Sequence, residues 1–208
     1  MNKDYIEKLD EQAERRFISP QIEIRAEGEG GNIIEGVAAV VNKETDLGWY
    51  TERIAPGAFD SVMGDDVVAL FNHDPNFPLA RTTAKEAGKL ELFLNDTGDL
   101  GYRFKAPDTS VGRDMLENIR NGIVSKSSFA FTIEEEEWRY NENKDVADVR
   151  EIKKVKRLFD VSPVTYPAYN QTDVAARSME RAMQPEKEFQ DAQNEWAIDL
   201  MKVEQLID

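Results

Sequence analysis

Apolar positions follow two different periods along the chain, and the periods divide it. From residue 20 to about residue 175 they recur every second position in short runs, as half-buried strands require. Residues 21–26 put Ile22 and Ile24 on one face, residues 32–41 are rich in Ile, Val and Ala, and residues 49–54 form a third run closed by Pro56-Gly57. Residues 66–71 make a short apolar run that delivers Asn72-His73-Asp74 at its end. Residues 89–94 align Leu90, Leu92 and Leu94, residues 100–106 align Tyr102 and Phe104, and the polar stretch 95–98 predicts a hairpin between them. Residues 128–133 alternate around Phe129, Phe131 and Ile133 and run into the acidic stretch 134–137, read as a solvated strand end. After a loop at 141–145, residues 149–164 predict a long strand or a bent pair that ends before Pro167.

The helical period appears twice. Residues 111–120 carry Met115, Leu116 and Ile119 on one stripe, with Asp108, Thr109 and Ser110 available as N-caps and Gly122 as a stop. After Gln184-Pro185, Phe189, Trp196 and Val203 recur every seven residues with Leu200 and Leu206 near the same face, which predicts a long amphipathic C-terminal helix. Residues 1–16 are charged throughout and read as a helical or disordered arm ended by Pro20. The expected organisation is an arm over 1–19, a strand-rich domain over 20–178, and a tail over 179–208 that packs, docks or is removed as a pro-segment. The expected fold class is mainly β, an antiparallel barrel or sandwich with surrounding helices, plus the long C-terminal helix.

Charge narrows the partners. The chain has 208 residues, with 41 acidic against 26 basic side chains and a net charge of −15, so bare nucleic acid and anionic membranes are repelled. No apolar run approaches the roughly 20 residues that span a bilayer. The first residues have no apolar core of the kind a signal peptide needs. There is no cysteine and only one histidine, which removes thiolate catalysis and leaves too few soft ligands for a catalytic zinc. No cofactor is expected, although a carboxylate site for magnesium or calcium stays open.

The lone histidine is the natural proton carrier near neutrality, since an ordinary imidazole titrates at about 6.5. His73 follows an apolar strand and opens a loop, a position catalytic groups favour. Its nucleophile must be a serine or threonine. In Ser125-Lys126-Ser127-Ser128-Phe129-Ala130-Phe131 a strand would turn the phenylalanines and Ser127 to one side and Ser128 with Ala130 to the other. That second face is small and polar, which favours Ser128. A Ser–Lys dyad using Lys126 is a further option, weighed against by strand geometry, in which neighbours point opposite ways. Asp160, an acid inside the apolar run 158–164, needs a partner if buried and could orient the imidazole. Pairing with Arg81, Arg157 or backbone amides would satisfy it equally well, and Asp74 is a rival orienter. Arg81 could supply positive charge to an oxyanion. Two other classes remain open on these residues: a non-enzymatic acidic scaffold protein, and a hydrolase built on a carboxylate pair.

Taken in order, several segments resemble the prohead (capsid maturation) proteases of tailed bacteriophages. They are Gly36-Val37-Ala38, Glu52-Arg53-Ile54-Ala55-Pro56-Gly57-Ala58-Phe59, Asn72-His73-Asp74 with Leu79-Ala80-Arg81-Thr82, Asn121-Gly122, Ser127-Ser128-Phe129-Ala130-Phe131, and Leu158-Phe159-Asp160-Val161-Ser162-Pro163-Val164-Thr165-Tyr166-Pro167-Ala168. The resemblance implies a serine endopeptidase with a barrel similar to that of herpesvirus assemblin. It makes His73 the base, Ser128 the nucleophile and Asp160 the third member. It also implies phage capsid or scaffold segments as substrates, self-cleavage, and action inside the immature capsid in the bacterial host cytoplasm. A homo-oligomer would be in keeping with the assemblin likeness, and the non-enzymatic alternative becomes an acidic scaffold or capsid-associated protein. The chain departs from the pattern at Asp160, often Glu in the family, and at Ala80 and Ala130, often Gly.

Overall fold

The computed structural model describes residues 13–18, 23–25, 31–48, 50–142 and 146–165. Its strands are β1 (Glu14–Ile18), β2 (Glu23–Arg25), β3 (Ile33–Ala39), β4 (Thr45–Asp46), β5 (Tyr50–Ile54), β6 (Val68–Phe71), β7 (Asp74–Arg81), β8 (Leu90–Leu94), β9 (Leu100–Lys105), β10 (Lys126–Arg139) and β11 (Asp148–Val164). One α-helix, α1 (Ser110–Arg120), and two short 3-10 turns complete the described residues. The expectation of a mainly β chain with a central helix therefore holds.

Among the described residues the strands form two sheets and no closed barrel, which corrects the expected assemblin-like barrel. A seven-stranded sheet runs β1-β10-β11-β5-β4, with β6 on β11 and β7 on β6, and a four-stranded sheet runs β2-β3-β9-β8. Most strands pair antiparallel as expected, but β5 and β6 both pair parallel with β11. The reason is length: β11 has 17 residues, so its first part takes β5 and its later part takes β6 along one edge. The surrounding helices reduce, among the described residues, to α1 and the two turns. The expected C-terminal helix lies outside the described residues.

Local chemistry accounts for the elements that frame the site. Helix α1 starts where the Thr109 hydroxyl accepts from the Gly112 amide at 3.1 Å and stops at Gly122, whose φ of 69° suits glycine. Strand β10 turns Ser127, Phe129 and Phe131 inward, where Phe129 stacks on Phe131 at 4.8 Å and meets Phe59 edge-on at 5.8 Å. Ser127 is fully buried and shares a hydrogen bond of 2.8 Å with the Tyr102 hydroxyl of β9, which ties the two sheets together. That bond satisfies both hydroxyls, while burial pushes the Tyr102 phenol well above its ordinary range. Ile34, Leu90, Leu100, Phe104, Ile152, Val155, Leu158 and Val161 fill the same core.

Strand β1 is the main departure in the described N-terminal segment, which the sequence predicts as helix or disordered arm. Glu14 to Ile18 pair antiparallel with Phe131 to Ser127 on the edge of β10. Four of the charges around that strand, Glu14, Arg16, Glu52 and Arg150, are buried, which hides the alternation that would otherwise mark it. Arg16 meets both Glu14 and Glu52, and Arg150 meets Glu14, Glu52 and Glu136.

Candidate active site

Three strands bring the candidate residues together, and β11 is the common reference. Ser128 of β10 lies opposite Ser162 of β11, and Ala130 lies opposite Asp160, so all four side chains share one face. On the other edge of β11, Asp160 pairs with Val68 of β6. Strand β6 ends at Phe71, which pairs with Asp74 across a two-residue turn made of Asn72 and His73. Both turn residues have positive φ, 54° and 59°, as the tight hairpin turn that matches strand twist demands. Asn accepts this conformation readily; for His73 it costs about 1–2 kcal/mol. The turn is fastened by Asn72, whose amide donates to the Pro163 carbonyl at 3.0 Å and whose side-chain oxygen accepts from the Thr165 amide at 2.9 Å.

The result is a continuous line of hydrogen bonds. His73 Nε2 lies 2.7 Å from Ser128 Oγ, and His73 Nδ1 lies 2.6 Å from Asp160 Oδ1. Asp160 Oδ1 also accepts from the Ser162 hydroxyl at 2.7 Å. Ser128 is 1% exposed and Asp160 is 7% exposed. The low local dielectric strengthens these bonds.

The other candidates lie elsewhere. Asp74 caps its own loop, accepting from the Asn76 amide at 2.8 Å and from its side chain at 2.9 Å. Arg81 is engaged at the surface by both carboxylate oxygens of Asp66. Ser127 faces the core with the phenylalanines, as the strand period predicts. Ser162 was not among the predicted residues, yet its position two after Asp160 in a strand is the signal that could have found it. The carbonyl of Arg16, which accepts from Ser128 Oγ at 2.8 Å, had no sequence signal because β1 was not legible as a strand. Among the described residues no cluster of three or more potential metal ligands occurs, and no helix is long and apolar enough to cross a membrane.

A hydroxyl, an imidazole and a carboxylate in this order make up the working parts of a serine peptidase. Residues 20–185 match the model of the Caudovirus prohead serine protease family, and the chain belongs to that family. It is accordingly a serine protease of the prohead, the precursor capsid of tailed phages, and its work is proteolysis during capsid maturation. Among solved structures it is similar to the bacteriophage T4 capsid assembly protease gp21, at 13% identity and a TM-score of 0.45, over 75% of this chain and 98% of that one. No curated protein sequence matches it.

Proposed function

We propose that Ser128 is the nucleophile, His73 the general base and Asp160 the orienting acid of this protease. The substrates in this reading are scaffold or capsid-protein segments inside the immature capsid in the host cytoplasm, together with the chain itself. The observation that supports it most is the unbroken contact from Ser128 Oγ through both ring nitrogens of His73 to Asp160.

The chemistry is acyl transfer. Asp160 accepts a hydrogen bond from Nδ1–H, which fixes the tautomer that leaves Nε2 free to take the proton of Ser128 as Oγ attacks a peptide carbonyl carbon. The imidazolium is stabilised by the carboxylate and passes its proton to the departing amine. Water then enters, His73 removes its proton, and the ester to Ser128 is hydrolysed. Ser162 bonds the same oxygen of Asp160 and holds the carboxylate in place.

Turnover of a scaffold-fused capsid protein tests the assignment. Ser128→Ala and His73→Ala should each remove nearly all activity, because nucleophile and base act as a unit. Retention of most of the rate by His73→Ala would instead favour a carboxylate-pair hydrolase. Loss of the tail after about residue 178 is the self-cleavage expected of the reading. Intact masses of wild type and Ser128→Ala after incubation check it, and equal full-length masses count against it.

A further inference from the structure

The edge of β10 beside Ser128 is already filled. Strand β1 lies on it antiparallel, as an added peptide strand would, and it precedes the residues that match the family. The carbonyl oxygen of Arg16 accepts a hydrogen bond from Ser128 Oγ at 2.8 Å, so the peptide unit that follows Arg16 lies against the hydroxyl. From these contacts we infer that β1 occupies the substrate channel, and that Glu52 selects a basic residue, arginine above all, at the substrate position whose carbonyl meets Ser128. The inference rests on the reading of Ser128 as nucleophile.

The pocket around the Arg16 side chain carries the argument. Its Nε bonds Glu52 Oε1 and its Nη2 bonds Glu52 Oε2 at 2.7 Å, a two-pronged grip on one carboxylate. That fork suits a planar guanidinium and not a single ammonium. The guanidinium carbon sits 5.8 Å from the Phe131 ring centre, so an aromatic face completes the pocket. Glu52 is buried at 4% exposure, and its second oxygen is also held by Arg150 at 3.1 Å, which fixes its aim.

Charge bookkeeping shows what the pocket wants. Arg16 meets Glu14 and Glu52, and Arg150 meets the same two acids and the more exposed Glu136. When β1 leaves it takes Glu14 and Arg16 with it. Two carboxylates then face one guanidinium, and a buried site with excess negative charge is costly until a cation enters. A strand bringing an acid two positions ahead of an arginine restores every contact, the acid meeting Arg150 as Glu14 does through Nη1 and Nη2, both at 2.9 Å.

The test uses the full chain and a synthetic peptide of residues 11–20 of this sequence, with arginine or its neutral isostere citrulline at the place of Arg16. Losing two charge-assisted bonds should lower kcat/KM for the citrulline peptide at least about 100-fold, with lysine between the two. Glu52→Gln should narrow the arginine–citrulline gap to below about tenfold. Citrulline cleaved as fast as arginine by the wild type overturns the inference whatever the variant does, and so needs no folded variant. A peptide library cut by the wild type but not by Ser128→Ala, without basic residues before the bond, overturns it too while leaving Ser128 as nucleophile. If the wild type leaves the arginine peptide uncut, the inference is overturned and the nucleophile assignment stands; if Ser128→Ala cuts the same bonds, the nucleophile assignment fails and the inference falls with it.

Discussion

Replacing Glu14 with Gln should weaken the protein by an amount that depends on pH in a defined way. Burial alone would push the Glu14 carboxyl up, but Arg16 and Arg150 outweigh it and hold it at about 2 against an ordinary 4.5. Each pH unit of separation corresponds to about 1.4 kcal/mol, so the ionised carboxylate contributes about 3 kcal/mol near neutral pH. The folded state binds its proton less tightly than the unfolded one. The contribution is therefore complete above pH 4.5 and disappears as pH falls toward 2. Urea unfolding followed by circular dichroism, in a Ser128→Ala background that the proposed mechanism makes inactive, gives the number. Glu14→Gln should lose about 3 kcal/mol at about pH 7 and about half of that at about pH 3. A gap that stays constant across this range, or one within experimental error at neutral pH, would show that Glu14 is not held between the two arginines and that β1 does not sit on β10.

Asp160→Asn should lower kcat on a capsid-protein substrate by roughly 10³–10⁴-fold with the fold intact, because an amide cannot fix the imidazole tautomer; a loss under tenfold would remove Asp160 from the mechanism. Tyr102→Phe should cost about 1–3 kcal/mol by leaving the fully buried Ser127 hydroxyl unpaired. The double variant with Ser127→Ala should recover part of that loss in a thermodynamic cycle, and simple additivity would contradict the pairing. Gly112→Ala should destabilise by about 2–3 kcal/mol, even though alanine is the better helix former, when measured by thermal unfolding. An added Cβ there would lie 2.0 Å from the Pro107 carbonyl oxygen, and a neutral or stabilising outcome would mean that the turn into α1 is looser than described.

The strands that bury one face were legible because their apolar residues alternate without interruption: Leu90 to Leu94, Leu100 to Phe104, and Phe129 to Ile133 lie where the pattern places them. The opposite facing of Ser127 and Ser128 followed from the same period. Three features were hidden for physical reasons. Strand β1 carries Glu-Arg-Arg where an apolar face was sought, and its charges are buried by pairing with Glu52 and Arg150, partners 36 and 136 residues away. Strand β7 begins Asp-Pro-Asn-Phe-Pro, a composition of turns, and it is mostly exposed until Leu79 and Ala80. The parallel docking of β5 and β6 on β11 is a long-range choice that no local pattern encodes. His73 and Asp160 could be named as candidates from residue chemistry, but their meeting depends on that docking.

All three chemical groups take their positions from one rail. Strand β11 carries Asp160, locates Ser128 through its pairing with β10, and locates His73 through its pairing with β6. A movement of β11 as a body carries the whole assembly with it and leaves the internal spacings unchanged. A slip of a single residue along either seam turns one partner to the far side of the sheet. Enzymatic competence should thus vanish as a switch and not by degrees: in a denaturant titration the loss of turnover and the melting of the large sheet should trace one curve.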